Sequence, residues 1–238
     1  MYKGYFQWGG QEHFWFRGRA ELVDILCVEF LSQTKASKIL DIGAGEGDLA
    51  IVLAQYGTVT ALDVSKEALS KMPSCAQVTP TIGNAVDLPF LHHTFDTVCL
   101  FDVLEHITDD MRAIQEARRV LKPGGLLLIT VPLHSWLFSA HDRANGHKRR
   151  YSTNGIRALL RDFTPLRLGY WNCTLLPIIA CVRIIRRNVP PRFDDDELPE
   201  WLNKLFWKII HRENQWIERL LHLPWGLTLF GIFQKPTK

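Results

Sequence analysis

Residues 40–50 read LDIGAGEGDLA, a short apolar run that reaches Asp41 and then places glycine at 43, 45 and 47. No other stretch constrains the fold as much. Glycine takes left-handed backbone angles without strain and lets main chain approach a ligand closely, so three glycines directly after a strand mark a binding site at the strand's carboxyl end.

The flanking pattern agrees. Residues 19–32 carry apolar positions at 22, 23, 25, 26, 28, 30 and 31, as a buried helix before the first strand would. Lys38–Ile42 reads as that strand, Glu46–Tyr56 as a helix, residues 58–64 as a second strand, and Ser65 as a helix cap with Glu67 close behind. Strands are expected near 77–82, at 95–101 and at LLLITV (126–131), with a helix from about Asp109 to Leu121. Strands alternating with helices imply a doubly wound, mostly parallel sheet. Beyond residue 150 come a capped helix (STNGIRALLRDF), a strand (PLRLGYWNC) and a final strand (LTLFGIFQK). Between the last two strands lies a helical insertion whose long helix spaces Leu198, Leu202, Leu205, Ile209, Trp216 and Leu220 at three, four and seven residues. The expected organisation is an N-terminal helical cap (1–36), a ligand-binding α/β core (37–173), a helical lid (174–225) and the last strand of a seven-stranded sheet (226–238).

A dinucleotide fingerprint is GxGxxG with an acidic residue about 20 positions on; this loop is GxGxG and follows an aspartate. Asp63 closes the second strand, where a carboxylate accepts both ribose hydroxyls of an adenosine. S-adenosylmethionine (SAM) has no pyrophosphate and carries a sulfonium and an ammonium, so the acidic Asp41 beside the loop favours it over a dinucleotide. Five motifs in order, LDIGAGEGDLA, VTALDVS, GNAVDLPF, FDTVCLFDVLEHI and EARRVLKPGGLLLITVP, resemble the class I SAM-dependent methyltransferases, in particular the bacterial small-molecule, ubiquinone-pathway-like branch, over about residues 38–132.

The resemblance implies a Rossmann-like core and a set of roles. Asp41, Gly43, Ala44 and Gly45 would line the methionine part of SAM, Asp63 would hold the ribose, and Val64 would flank the adenine. Asn84, beside Ala85, replaces the family's usual aspartate at the adenine amino group, and its amide oxygen can accept the same hydrogen bond. Phe101 would offer backbone contacts to the ammonium, and Leu104 and His106 would lie near the sulfonium. The segment EHFWFRGRAEL resembles a cofactor-covering helix of this branch, in which Arg17 or Arg19 would pair with the SAM carboxylate; core packing for Phe14, Trp15 and Phe16 with solvated arginines is the competing reading.

For the acceptor, the richest stretch is PLHSWLFSAHDRANGHKRRYS, 132–152. His141 or His147, with His106, are the candidate general bases, and Arg149, Arg150 and Tyr151 the candidate acceptor contacts; alternatively these side chains brace the lid. No metal is expected, because His141, Asp142 and His147 match no familiar ligand spacing. Trp201, Phe206, Trp207, Trp216 and Trp225, with Arg183, Arg186, Arg187 and Arg192, suit either peripheral contact with a membrane surface or a pocket cap or homodimer contact. Glu213 is read as a pocket residue or an arginine partner.

A net charge of +3 and the absence of NPPY or DPPY after the fourth strand speak against nucleic acid as substrate. Five cysteines without CxxC spacing fit a reducing compartment, and neither a signal peptide nor a membrane-spanning helix is expected, so the expected location is cytoplasmic. The expected function is SAM-dependent methylation of an oxygen or nitrogen on a small-molecule or lipid-like acceptor, giving S-adenosylhomocysteine. The alternatives are an NAD(P)-dependent oxidoreductase, disfavoured by glycine spacing and the lack of a Tyr-xxx-Lys pair, and a non-catalytic SAM-binding protein.

Overall fold

A computed structural model describes residues 13–32, 37–189 and 198–237. Residues 1–12 of the expected cap and Arg192 of the insertion lie outside them.

Seven strands form one sheet in the order β3-β2-β1-β4-β5-β7-β6: β1 (Ser37–Ile42), β2 (Gly57–Asp63), β3 (Val78–Ile82), β4 (Phe95–Phe101), β5 (Leu121–Pro132), β6 (Thr164–Trp171) and β7 (Thr228–Gln234). Only β7 runs antiparallel to its neighbours. Strand order reverses between β1 and β4, so a crevice opens at their carboxyl ends. Both ends are where the sequence places its motifs.

The period-two alternation of the strands feeds two helical layers. Leu40, Ile42, Val98, Leu100, Leu127 and Ile129 face α4 (Asp110–Val120) and α6 (Thr153–Leu159) through Ala113, Ile114, Ala117 and Ile156. Ile39, Cys99, Phe101, Leu128 and Ile232 face the other way, onto Leu22, Val23 and Leu26 of α1 (Phe14–Leu31) and Leu49, Ala50 and Leu53 of α2 (Asp48–Leu53). The helix read at 46–56 is thus shorter, because Gly47 at φ 91° is its cap and cannot sit inside it. Ser65 caps α3 (Lys66–Ser70) as expected, its Oγ accepting from Ala68 N at 3.1 Å.

The segment read as an inserted lid behaves differently. It contains α7 (Leu176–Ile185) and α8 (Glu200–Glu218); α5 (Ala140–Ala144) precedes α6. Ile210 and Ile217 of α8 are buried in the same cluster as Leu22 and Leu26, so α8 is a core layer and not a loose cover. Gly18 lets α1 and α8 meet: a Cβ there would fall 2.4 Å from Ile210 Cγ2. Asn214 Nδ2 donates to Gly18 O at 2.9 Å, and Trp171 Nε1 donates to Asn214 Oδ1 at 2.9 Å. The buried stripe of α8 is Ile210, Glu213, Asn214 and Ile217, while Leu205, Trp216 and Leu220 of the expected stripe are exposed. Two polar residues inside the stripe conceal it from any count of apolar spacing. Glu213 is neither a pocket residue nor an arginine partner: its carboxylate accepts from the amides of Cys173 and Thr174, each at 2.9 Å, just ahead of α7.

Candidate active site

Gly43, Gly45 and Gly47 have φ of 72°, 57° and 91°, so each glycine of the loop is required by its backbone. Gly43 N and Ala44 N donate to Leu62 O at 2.7 and 3.0 Å, tying the loop to the end of β2. Gly43 also has no room for a side chain, since a Cβ would fall 2.5 Å from Val103 Cγ2. The loop therefore abuts the turn after β4.

Asp63 is clamped at the neighbouring strand end. Gly45 N donates to its Oδ2 at 2.9 Å and Ser65 N to its Oδ1 at 2.8 Å. Each oxygen keeps a lone pair, the pattern needed to accept from two vicinal hydroxyls. Beside it Val64 is 67% exposed and Ile82, at the end of β3, 57% exposed. Two bare aliphatic side chains thus stand at the strand ends beside a fixed carboxylate, and Ile82 carries no sequence signal. Asn84 Oδ1 accepts from Val86 N at 3.1 Å, so this amide is held by its own turn. Ala85 packs into the core.

Asp41 lies under the loop, 3% exposed, on the face covered by α1. Burial pushes its carboxyl up to about 7, a rise that Arg19 opposes and Asp63 adds to. Arg19 Nη1 reaches across to Asp102 Oδ2 at 2.9 Å, and its Nε is buried without a hydrogen-bond partner. Asp102 itself takes φ 55° directly after β4, a strained setting for a non-glycine residue at a site edge. Of the two arginines, Arg19 is at the crevice. Arg17 is instead stacked over Trp207, 3.9 Å from the ring centroid, and this corrects its expected place at the cofactor.

Two further sets of assignments change, that of Leu104 and that of the basic motif. The Leu104 side chain is fully buried among Ala113, Ile114 and Ile129, so that side chain belongs to the core. Phe101 packs its side chain inward, and the backbone contact expected of it does not involve that side chain. Arg150, Arg149 and Tyr151 are held by the protein itself. Arg150 is 2% exposed, with Nη2 2.7 Å from Asp142 Oδ1 and Nη1 donating to Leu133 O at 3.0 Å. Arg149 Nη1 donates to Asp110 Oδ2 at 2.9 Å, and Tyr151 Oη donates to the same oxygen at 2.7 Å. The basic motif is a brace, because each of these side chains already donates to a carboxylate or carbonyl of the protein.

The histidines divide. His106 and His147 meet edge to face with centroids 4.6 Å apart, beside Glu105. His141 is not in that group; burial and then Arg183 push it down to about 4. His106 is also pushed down to about 4, by burial and by His147. Both rings are neutral at pH 7, which suits a hydrogen-bond acceptor. Asp142 is the hub of the segment. Burial alone would raise its carboxyl, but His147, Arg150 and Arg183 hold it well below the ordinary range.

Residues 40–129 match the family model described as "Methyltransferase domain". That segment, under half of the chain, is similar to methyltransferase domains. Its relatives include the demethylmenaquinone methyltransferase of Bacillus licheniformis, 36% identical over 106 residues, which is 41% of this chain and 46% of that protein. The chloroplastic 2-phytyl-1,4-beta-naphthoquinone methyltransferase of Arabidopsis thaliana is 36% identical over 117 residues, covering 44% and 45% of the two chains. The match spans about half the length of these relatives. Among solved structures, phosphoethanolamine N-methyltransferase 2 of Haemonchus contortus, in complex with S-adenosyl-L-methionine, superposes with a TM-score of 0.60 at 20% identity, over 90% of this chain and 52% of that one. The likeness in fold thus extends well beyond the segment matched in sequence.

Proposed function

We propose that this methyltransferase domain binds SAM across the ends of β1, β2 and β4 and transfers its methyl group to an oxygen or nitrogen of a small, lipid-like acceptor. The observation that carries the reading is the Asp63 clamp between the glycine loop and α3, flanked by exposed Val64 and Ile82. When bound, SAM supplies an electrophilic methyl on a sulfonium. The chain's own residues orient and shield: Asp63 fixes the ribose, Arg19 offers a cation to the carboxylate, and Asp41 supplies negative charge beneath the loop. His106 and His147 border the crevice at the turn that Gly43 touches, the side from which an acceptor would approach the methyl group.

The lipid-like acceptor is supported by relatives named for menaquinone and naphthoquinone substrates. It is also supported by an apolar surface. Ile178, Val182 and Ile185 share one face of α7 and are at least half exposed, and Trp201, Leu220, Leu221 and Trp225 are exposed nearby in the chain. With the exposed Arg186 and Arg187 at the end of the same segment, this face suits an anionic membrane surface. A homodimer through it is the competing occupant. No helix among the described residues is long and apolar enough to cross a membrane. A reducing, cytoplasmic setting belongs to the same reading and is supported by five unpaired cysteines.

Replacing Asp63 by Ala should weaken SAM binding at least tenfold in calorimetry with the melting temperature little changed. Unaltered binding would remove the adenosine assignment.

A further inference from the structure

Glu105 is the one group near the crevice that the reading above leaves unexplained. It is fully buried, and neither carboxylate oxygen has a hydrogen-bond partner. A buried carboxylate without partners is costly and calls for a cation or a proton. Two imidazoles stand beside it: one ligand atom from each of Glu105, His106 and His147 lies within 4.8 Å of the others.

The surroundings of the two rings say more. His147 Nδ1 lies 3.3 Å from Asp142 Oδ1, close to the carboxylate though not hydrogen-bonded to it, and Nε2 is the ring's other nitrogen. His106 is hydrogen-bonded to the Gly146 backbone. Metal-ligating histidines have the second nitrogen held by a carboxylate or a backbone group that fixes tautomer and orientation, and these rings have such groups beside them. The segment is also tied in place, since Lys148 N donates to Glu105 O at 2.7 Å.

From these contacts we propose that Glu105, His106 and His147 form a binding site for a divalent transition ion of the zinc type. Two imidazoles and one carboxylate match the donor set of such ions and leave coordination positions open. Bonds of about 2.0–2.1 Å in a tetrahedron set ligand atoms roughly 3.4 Å apart. The three side chains therefore close in by at most about 1.4 Å, which rotamer adjustment of a glutamate and two histidines supplies. The sequence concealed the site because spacing considers 141, 142 and 147, while the ligands come from two loops that meet only through the fold. Its place beside Val103, which touches Gly43, puts the open positions next to the SAM crevice. If the methyl-transfer reading holds, an acceptor oxygen would take one of them; the ion site itself does not depend on that reading.

The test is a titration of the full chain, stripped with EDTA and dialysed, with Zn2+ by calorimetry and Co2+ by visible absorption. One ion per chain at micromolar or tighter affinity, with Co2+ bands of a four- or five-coordinate centre, is expected. Glu105→Gln and His147→Asn should each weaken Zn2+ binding at least tenfold and abolish the Co2+ bands, while His92→Asn should leave both unchanged. Should Glu105→Gln fail to fold, His147→Asn alone decides. Absence of stoichiometric binding, or binding that survives His147→Asn or is lost with His92→Asn, overturns the site. SAM binding measured on the same samples separates the two claims: Zn2+ without SAM sinks the methyltransferase reading alone, and SAM without Zn2+ sinks the metal site alone.

Discussion

Asp41→Asn is expected to make the protein more stable and a poorer ligand binder. Burial raises the Asp41 carboxyl from 3.8 to about 7. A group whose folded-state value is raised contributes stability that is complete below its unfolded value, near pH 4, and lost as pH rises through its folded value, near pH 7. Three pH units at about 1.36 kcal/mol each put the loss at roughly 4 kcal/mol by pH 8. Asparagine keeps the shape without the charge, but its amide must still be hydrogen-bonded, so the expected gain at pH 8 is about 2–4 kcal/mol. Denaturant unfolding at pH 8 and pH 4 reads this directly: the variant should be more stable at pH 8, with the difference gone at pH 4. SAM affinity of the wild type should rise between pH 5 and 7 as the carboxylate forms under the cationic ligand, whereas the variant should show no such rise and bind more weakly at pH 8. A variant equally stable at both pH values, or an unchanged pH slope of SAM binding, would refute the argument.

Asp142→Ala leaves the Arg150 guanidinium buried without its partner and should cost about 3–5 kcal/mol in urea unfolding at pH 7. Because the Asp142 carboxyl is held low, its contribution is present above about pH 4 and is lost on acidification, so the gap between wild type and variant should narrow towards pH 2. Gly43→Ala, at φ 72° and 2.5 Å from Val103 Cγ2, should lower SAM affinity at least tenfold and stability by more than the ~1–2 kcal/mol of a left-handed alanine. Val182→Glu with Ile185→Glu should abolish flotation with anionic vesicles; unchanged flotation would remove the membrane-surface reading, and a lost dimer in sedimentation would replace it.

The Rossmann-like half was open to reading because its determinants are local. Gly43, Gly45 and Gly47 declare their backbone angles, Ser65 declares a helix start, and strands buried on both faces read as apolar runs. The carboxyl-terminal half was less so. Helix α8 turns Glu213 and Asn214 inward, each satisfied by one specific partner, and a polar residue that is buried because it is bonded leaves no periodic trace. In the site, Asp63 and Val64 could be named from motifs, since their positions follow from strand ends. Arg150 could not be placed correctly, because a surplus of cations in HKRRY looks like a substrate grip until Asp110 and Asp142 are brought against it by the fold. Glu105 shows the reverse: its importance comes from being left without partners, which no sequence displays.

Calorimetric titration of the wild-type chain with SAM, S-adenosylhomocysteine and NADH tests the central claim most directly. Micromolar binding of the first two without NADH is the result expected from the Asp63 clamp and the glycine loop. Binding of NADH with no heat from SAM would contradict the account and leave only the doubly wound fold standing.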